Sequence, residues 1–142
     1  MTKTGQVRVT HQYKAPPERV FDLFLDEKRA GKFLFATPDG DMVRVEIDPR
    51  VGGKFCFTDR RPDAGDVDHV GTWLELDRPR RLVFEFAVPK YSPEKSVVTL
   101  DFQPAAGGGC ALTLTHEGVL EEWVERTNQG WTMILGNLEA AL

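Results

Sequence analysis

Residues 120–142 read LEEWVERTNQGWTMILGNLEAAL. Leu120, Trp123, Val124, Trp131, Ile134, Leu135, Leu138 and Leu142 recur at spacings that place them on one stripe of a helix. No comparable helix pattern precedes this one. Before it come about seven short segments of β type. A stripe of this length needs a large apolar partner, and the sheet is the partner on offer. A curved sheet holding one long helix can leave a space between the two, and that space is where function is expected.

Working back from the helix, the strands follow one another with short links. Val7 to Lys14 alternates, with Val7, Val9, His11 and Tyr13 on one face and Arg8, Thr10, Gln12 and Lys14 on the other. Pro16-Pro17-Glu18 opens a helix, since proline suits a first helical turn and an early glutamate suits the positive end of the dipole. Val20, Phe21, Phe24 and Leu25 form its inner face, and a second short helical piece is expected over Glu27 to Phe35. Strands are expected at 42–47, 54–58, 67–76, 81–88, 97–103 and 110–117. Val51-Gly52-Gly53 is a backbone bend, with glycine accepting a positive φ. Gly107-Gly108-Gly109 is a hairpin loop, and 59–66 reads as a polar, turn-rich loop. Such short connections argue for an antiparallel meander. The expected class is α+β: one domain over residues 1–142, a curved antiparallel sheet of six to seven strands, two short helices and one long C-terminal helix on the concave face.

Composition narrows the classes of function. With 22 acidic and 18 basic side chains the net charge is −4, which gives no pull toward nucleic acid or an anionic membrane. No segment approaches the length of a membrane span, and Met1 to Gln6 has no apolar signal core, so a cytosolic protein is expected. The 2 cysteines, Cys56 and Cys110, lack CxxC spacing and are expected as reduced, inert thiols.

Several blocks together resemble a known family. They are Ala15-Pro16-Pro17-Glu18-Arg19-Val20-Phe21, Val51-Gly52-Gly53-Lys54-Phe55, Gly71-Thr72-Trp73-Leu74-Glu75-Leu76, Pro79-Arg80-Arg81-Leu82-Val83-Phe84, Leu112 to Gly118, and Gly130-Trp131 with Leu135 and Leu138. This ordered set resembles the START-like superfamily, also called SRPBCC or helix-grip proteins, and within it the group related to the activator of heat-shock protein 90 ATPase. The resemblance spans nearly the whole chain. It implies a helix-grip fold with a cavity that takes lipids, hormones or other apolar molecules, more than it implies a reaction. Where the family usually carries a tryptophan after the second short helix, this chain has Phe33-Leu34-Phe35. The co-chaperone activity of the superfamily belongs to members with an additional domain, for which this chain has no room.

The candidate cavity residues are Trp131, Ile134 and Leu135 from the helix, and Leu112, Leu114, Phe55, Phe57 and Trp73 from the sheet. His116 shares the face of Leu112 and Leu114, where it could bond a ligand carbonyl or act as a base. The plainer reading is that it caps the strand end by bonding a backbone carbonyl. Gly130 beside Trp131 is expected to permit a close approach, because glycine inside a helix otherwise costs about 1 kcal/mol. Leu114→Trp is expected to fill the space. His69, beside Asp66 and Asp68, reads as a surface residue, and His11 as a packing one. Asp59, Asp63, Asp66 and Asp68 lack the spacing of a calcium loop and read as solvated.

No metal, no cofactor and no catalytic residue is expected, because no ligand set or activated nucleophile stands at a suitable spacing. A module binding a small hydrophobic or amphipathic molecule is therefore favoured over an enzyme acting on one. A protein-interaction module of the co-chaperone type stays open, as do a homodimer and a chaperone partner.

Overall fold

The computed structural model describes residues 3–142. The elements run in the order β1 (Thr4–Tyr13), α1 (Pro17–Leu23), β2 (Asp41–Ile47), β3 (Lys54–Arg61), β4 (Gly65–Asp77), β5 (Arg81–Ala87), β6 (Ser96–Ala105), β7 (Gly109–Leu120) and α2 (Val124–Leu138). The seven strands form one sheet in the order β1-β7-β6-β5-β4-β3-β2, and every neighbouring pair is antiparallel. Strands β2 to β7 are a meander, and β1 returns to pair along β7. The order of elements and the seven-stranded antiparallel sheet agree with the reading of the sequence.

Alternation explains which face of each strand is buried. On β1, Val7, Val9 and Tyr13 point inward while Arg8, Thr10 and Gln12 are exposed. The same period buries Leu112, Leu114 and His116 on β7 and Val98, Leu100 and Phe102 on β6. Helix α1 lays Phe21 against Phe102, with ring centroids 5.3 Å apart. Helix α2 inserts Trp131, Ile134, Leu135 and Leu138 into the sheet. Tyr13 fastens the two layers by donating its hydroxyl to the Leu135 carbonyl at 2.6 Å. Burial holds this phenol well above its ordinary pKa, with the Glu139 carboxylate adding to the effect.

Gly52 has a φ of +85°, as the bend required. Trp73 donates its amide to the Gly53 carbonyl at 2.9 Å, which ties the bend to β4. Gly71 serves close packing instead. A Cβ there would lie 2.0 Å from the Glu85 carbonyl and 2.3 Å from the Phe55 ring.

Four expectations are corrected. The long C-terminal helix is present but starts after Leu120, which ends β7, and its first and last turns, Glu121–Trp123 and Glu139–Ala141, are 3-10 turns that flank α2. Residues 27–35 form no α-helix, only a 3-10 turn at Ala30–Lys32. Gly31 lowers helix propensity there and lets the backbone close on β2, since a Cβ would sit 2.7 Å from Val45 Cγ2. Phe35 ends this stretch with a φ of +62°, unusual for a bulky residue. Strand β6 runs through Pro104 to Ala105, with Pro104 opposite Cys110 beside the hairpin where the ladder is ending. The polar loop shrinks to 62–64, because β3 and β4 pair out to Arg61 and Gly65.

Candidate functional site

The sheet and α2 do not meet everywhere. Toward the β7–α2 junction they part around a cavity of about 300 Å³. Helix α2 contributes Thr127, Gly130, Trp131 and Ile134, and β7 contributes His116, Val119 and Leu120. Phe86 from β5, Tyr91 from the β5–β6 connection and Trp123 add further aromatic wall. Phe35 lies across one side, its ring parallel to those of Phe86 (4.9 Å, 3°) and His69 (4.8 Å, 13°) and edge-on to Trp131. A second depression of about 580 Å³ lies on the opposite face of the sheet, around Arg44, Lys54, Glu85 and Lys95. Charged side chains are more numerous there than around the concave cavity, whose lining is mostly apolar and aromatic.

Of the nine residues singled out from sequence, the structure brings Trp131, His116 and Ile134 together on the cavity wall. The other six are placed elsewhere. Leu112, Leu114, Leu135, Phe57, Phe55 and Trp73 are 0–3 % exposed and belong to the solid core. The inward face of each strand is longer than the cavity, and α2 packs closely along β1, at one edge of the sheet, and its neighbour β7. Leu114→Trp would therefore overpack a closed core instead of filling the space. Gly130 is corrected as well. A Cβ there meets nothing beyond its own helix and chain neighbours within 4 Å, so it opens the wall and permits no close approach.

His116 neither caps its strand through a backbone carbonyl nor stands free. It is 3 % exposed, and Trp131 donates Nε1–H to its Nδ1 at 2.9 Å. Indole nitrogen is only a donor, so Nδ1 is unprotonated and the neutral ring carries its hydrogen on Nε2. That hydrogen is donated to Ser96 Oγ at 2.6 Å, and the serine hydroxyl points on to the Phe86 carbonyl at 3.4 Å. Burial lowers the His116 pKa to about 4, and the Trp131 N–H aimed at Nδ1 opposes a second proton in the same sense.

This arrangement decides against a nucleophilic serine. A base must present a lone pair to the hydroxyl it activates. Here the tryptophan enforces the opposite tautomer, and Ser96 faces an N–H.

At the β3–β4 side stands a group that the sequence reading missed. His69, expected at the surface, is buried at 6 % exposure and donates Nδ1–H to the Phe57 carbonyl at 3.2 Å. Burial lowers its pKa to about 4. Asp59, expected in a solvated loop, is 0 % exposed on β3. Its Oδ2 accepts from Thr37 Oγ1 at 2.7 Å and from Arg61 Nε at 3.0 Å. Its Oδ1 has no hydrogen-bond partner among the described residues. Arg61 is held over this carboxylate and lines the cavity together with Thr37 and His69. The only signal in the sequence is the Thr58-Asp59-Arg60-Arg61 run, whose alternation continues that of β3.

His11 packs, as expected, with its ring 4.5 Å from Tyr13 and Nε2 2.8 Å from Glu139. Cys56 and Cys110 are free thiols, and burial raises the pKa of Cys110. Among the described residues no helix is long and apolar enough to cross a membrane. Nor does any group of three or more His, Cys, Asp or Glu gather to hold a metal ion among them.

Comparison with known proteins follows the same lines. The family model described as Activator of Hsp90 ATPase homolog 1-like protein matches residues 14–142. Among solved structures, protein CV1439 from Chromobacterium violaceum superposes with a TM-score of 0.86 at 27 % identity, covering 95 % of this chain and 94 % of that one. Mll3558 from Rhizobium loti gives 0.80 at 24 % identity, over 100 % and 99 % of the two chains. CalU16 from Micromonospora echinospora gives 0.70 at 22 % identity, over 99 % and 85 %. The last two likenesses concern the fold alone. No curated protein matches the chain.

Proposed function

The chain belongs to the family of Activator of Hsp90 ATPase homolog 1-like proteins, and from that premise we propose that it is a binding module that holds a small, largely apolar molecule between the sheet and α2. The observation that carries this reading is the aromatic-walled cavity of about 300 Å³. Small-molecule sites span roughly 300–1,000 Å³ and combine apolar walls with a few fixed polar groups. Phe35, Phe86, Trp123 and Trp131 supply the walls here, and they suit a flat ring system better than a long chain. Ser96 supplies a polar group whose weak 3.4 Å bond to Phe86 can be exchanged for a ligand acceptor.

The enzymatic reading loses its best candidate with the tautomer of His116. A co-chaperone surface would call for a contiguous apolar patch. The exposed large apolar side chains among the described residues are four, Val43, Val51, Leu74 and Tyr91.

A neutral naphthalene probe, N-phenyl-1-naphthylamine, tests the proposal. It should bind with micromolar affinity, about −8 kcal/mol, and alter tryptophan emission. Gly130→Phe places a ring into the open wall and should weaken binding by about tenfold or more, roughly 1.4 kcal/mol, with the far-UV spectrum unchanged. A probe that leaves emission and melting temperature untouched would contradict the reading.

A further inference from the structure

Among the described residues, Arg61 is the one cavity-lining cation held in place from behind, and this sets what an occupant must carry. Its Nε is committed to Asp59 Oδ2 at 3.0 Å, and its Nη2 reaches His69 Nε2 at 3.5 Å. His69 receives that hydrogen as an acceptor, because its own N–H goes to the Phe57 carbonyl. Nη1 makes no hydrogen bond with the described residues and is not sealed off, while the side chain as a whole is only 22 % exposed. Asp59, fully buried, lies behind the guanidinium and does not line the cavity. The cavity therefore sees two N–H donors of a fixed, charged fork, and not the carboxylate that holds it. A guanidinium with one edge anchored and one nitrogen free is built to take an oxyanion.

Arg126, the other cation on the wall, lies at the opposite, α2 side. It stands 5.3 Å above the Trp123 ring and has no fixing partner of this kind. Glu94 also lines the cavity, from the β5–β6 connection, and would repel an anion brought close to it. The anionic end of an occupant is thus directed to the β3 side.

We propose that the cavity selects planar apolar acids, with the ring system against the aromatic wall and a carboxylate on Arg61 Nη1. This rests on the binding-module reading above and names its ligand class.

The test compares naphthalene-2-carboxylate with its neutral near-isostere 2-acetylnaphthalene by calorimetric titration of the full-length protein. The acid should bind about tenfold or more tightly than the ketone, the effect expected of one hydrogen bond between charged partners. Arg61→Gln alone would strand a buried carboxylate, so the variant of choice is Asp59→Asn/Arg61→Gln. It should lose the preference for the acid while keeping its affinity for the ketone. Arg61→Lys keeps the ion pair with Asp59 and removes the free fork, and it should reduce the same preference even where the double variant fails to fold. Arg126→Gln should leave the preference intact.

If the ketone binds and the acid is no tighter, the carboxylate assignment falls and the binding module stands. A preference that survives in the Arg61 variants, or that vanishes in Arg126→Gln, places the anchor elsewhere and overturns the assignment. If neither compound binds, the binding module falls and the assignment with it.

Discussion

Truncation after Gly118 abolishes cooperative folding. The lost segment takes with it Val119, Trp131, Ile134, Leu135 and Leu138, all buried, and the half-buried Leu120, Trp123, Val124 and Leu142. Each fully buried large side chain contributes roughly 1.5–3 kcal/mol. Their combined loss reaches the whole of an ordinary stability margin of about 5–15 kcal/mol. Two polar ties go as well, the Tyr13 hydroxyl to Leu135 and the Trp131 indole to His116. Tyr13 and His116 would then turn to water, so each lost bond removes its net worth of about 0.5–1.5 kcal/mol. Far-UV dichroism and thermal melting of the fragment are the measurements. A soluble fragment that melts cooperatively would contradict the account.

The second large effect is a loss of stability in mild acid. His69 and His116 both have folded-state pKa values of about 4, with burial the first cause in each. In the unfolded chain a histidine titrates near 6.5. The folded state therefore binds fewer protons than the unfolded state between those values. The stabilisation is complete above about pH 6.5 and is lost as the pH falls toward 4. Linkage puts the loss at about 2 kcal/mol per histidine by pH 5. For His116, protonation must also break the bond from Trp131, because Nδ1 can no longer accept. Urea midpoints measured from pH 7.5 to 4.5 should fall steeply through this window, and His116→Gln should remove about half of the slope. A wild-type profile that stays flat between pH 7 and 5 would overturn the assignment of two neutral, buried imidazoles.

The parts of this fold legible in the sequence were those set by period alone. Strand β1 alternates cleanly, and the α2 stripe of Trp131, Ile134, Leu135 and Leu138 is buried as its spacing required. What period cannot give is where a helix lies along the sheet. Leu112, Leu114 and His116 share one face of β7, yet only His116 reaches the cavity, because α2 closes on the others. Composition also misled at 59–66. Aspartate, arginine and proline there suggest a loop, but cross-strand pairing of Arg60 with Asp66 and Asp59 with Val67 carries the ladder to Arg61. His69 and Arg61 thereby turn from a solvated surface into the polar end of the cavity, with Asp59 buried behind the guanidinium. Phe35 was hidden for a third reason. Its backbone is left-handed and its ring packs on Phe86, His69 and Trp131, residues that no local window contains.

The most direct test of the cavity as a ligand site is nitrogen–proton correlation spectroscopy of the three tryptophan indoles during titration with N-phenyl-1-naphthylamine. Trp131 and Trp123 line the cavity, whereas Trp73 lies 1 % exposed in the core with its indole N–H unpartnered. The Trp131 and Trp123 resonances should shift together along one saturation curve while Trp73 stays in place. Three unmoved indole signals at saturating probe, or a shift confined to Trp73, would contradict a ligand site between the sheet and α2.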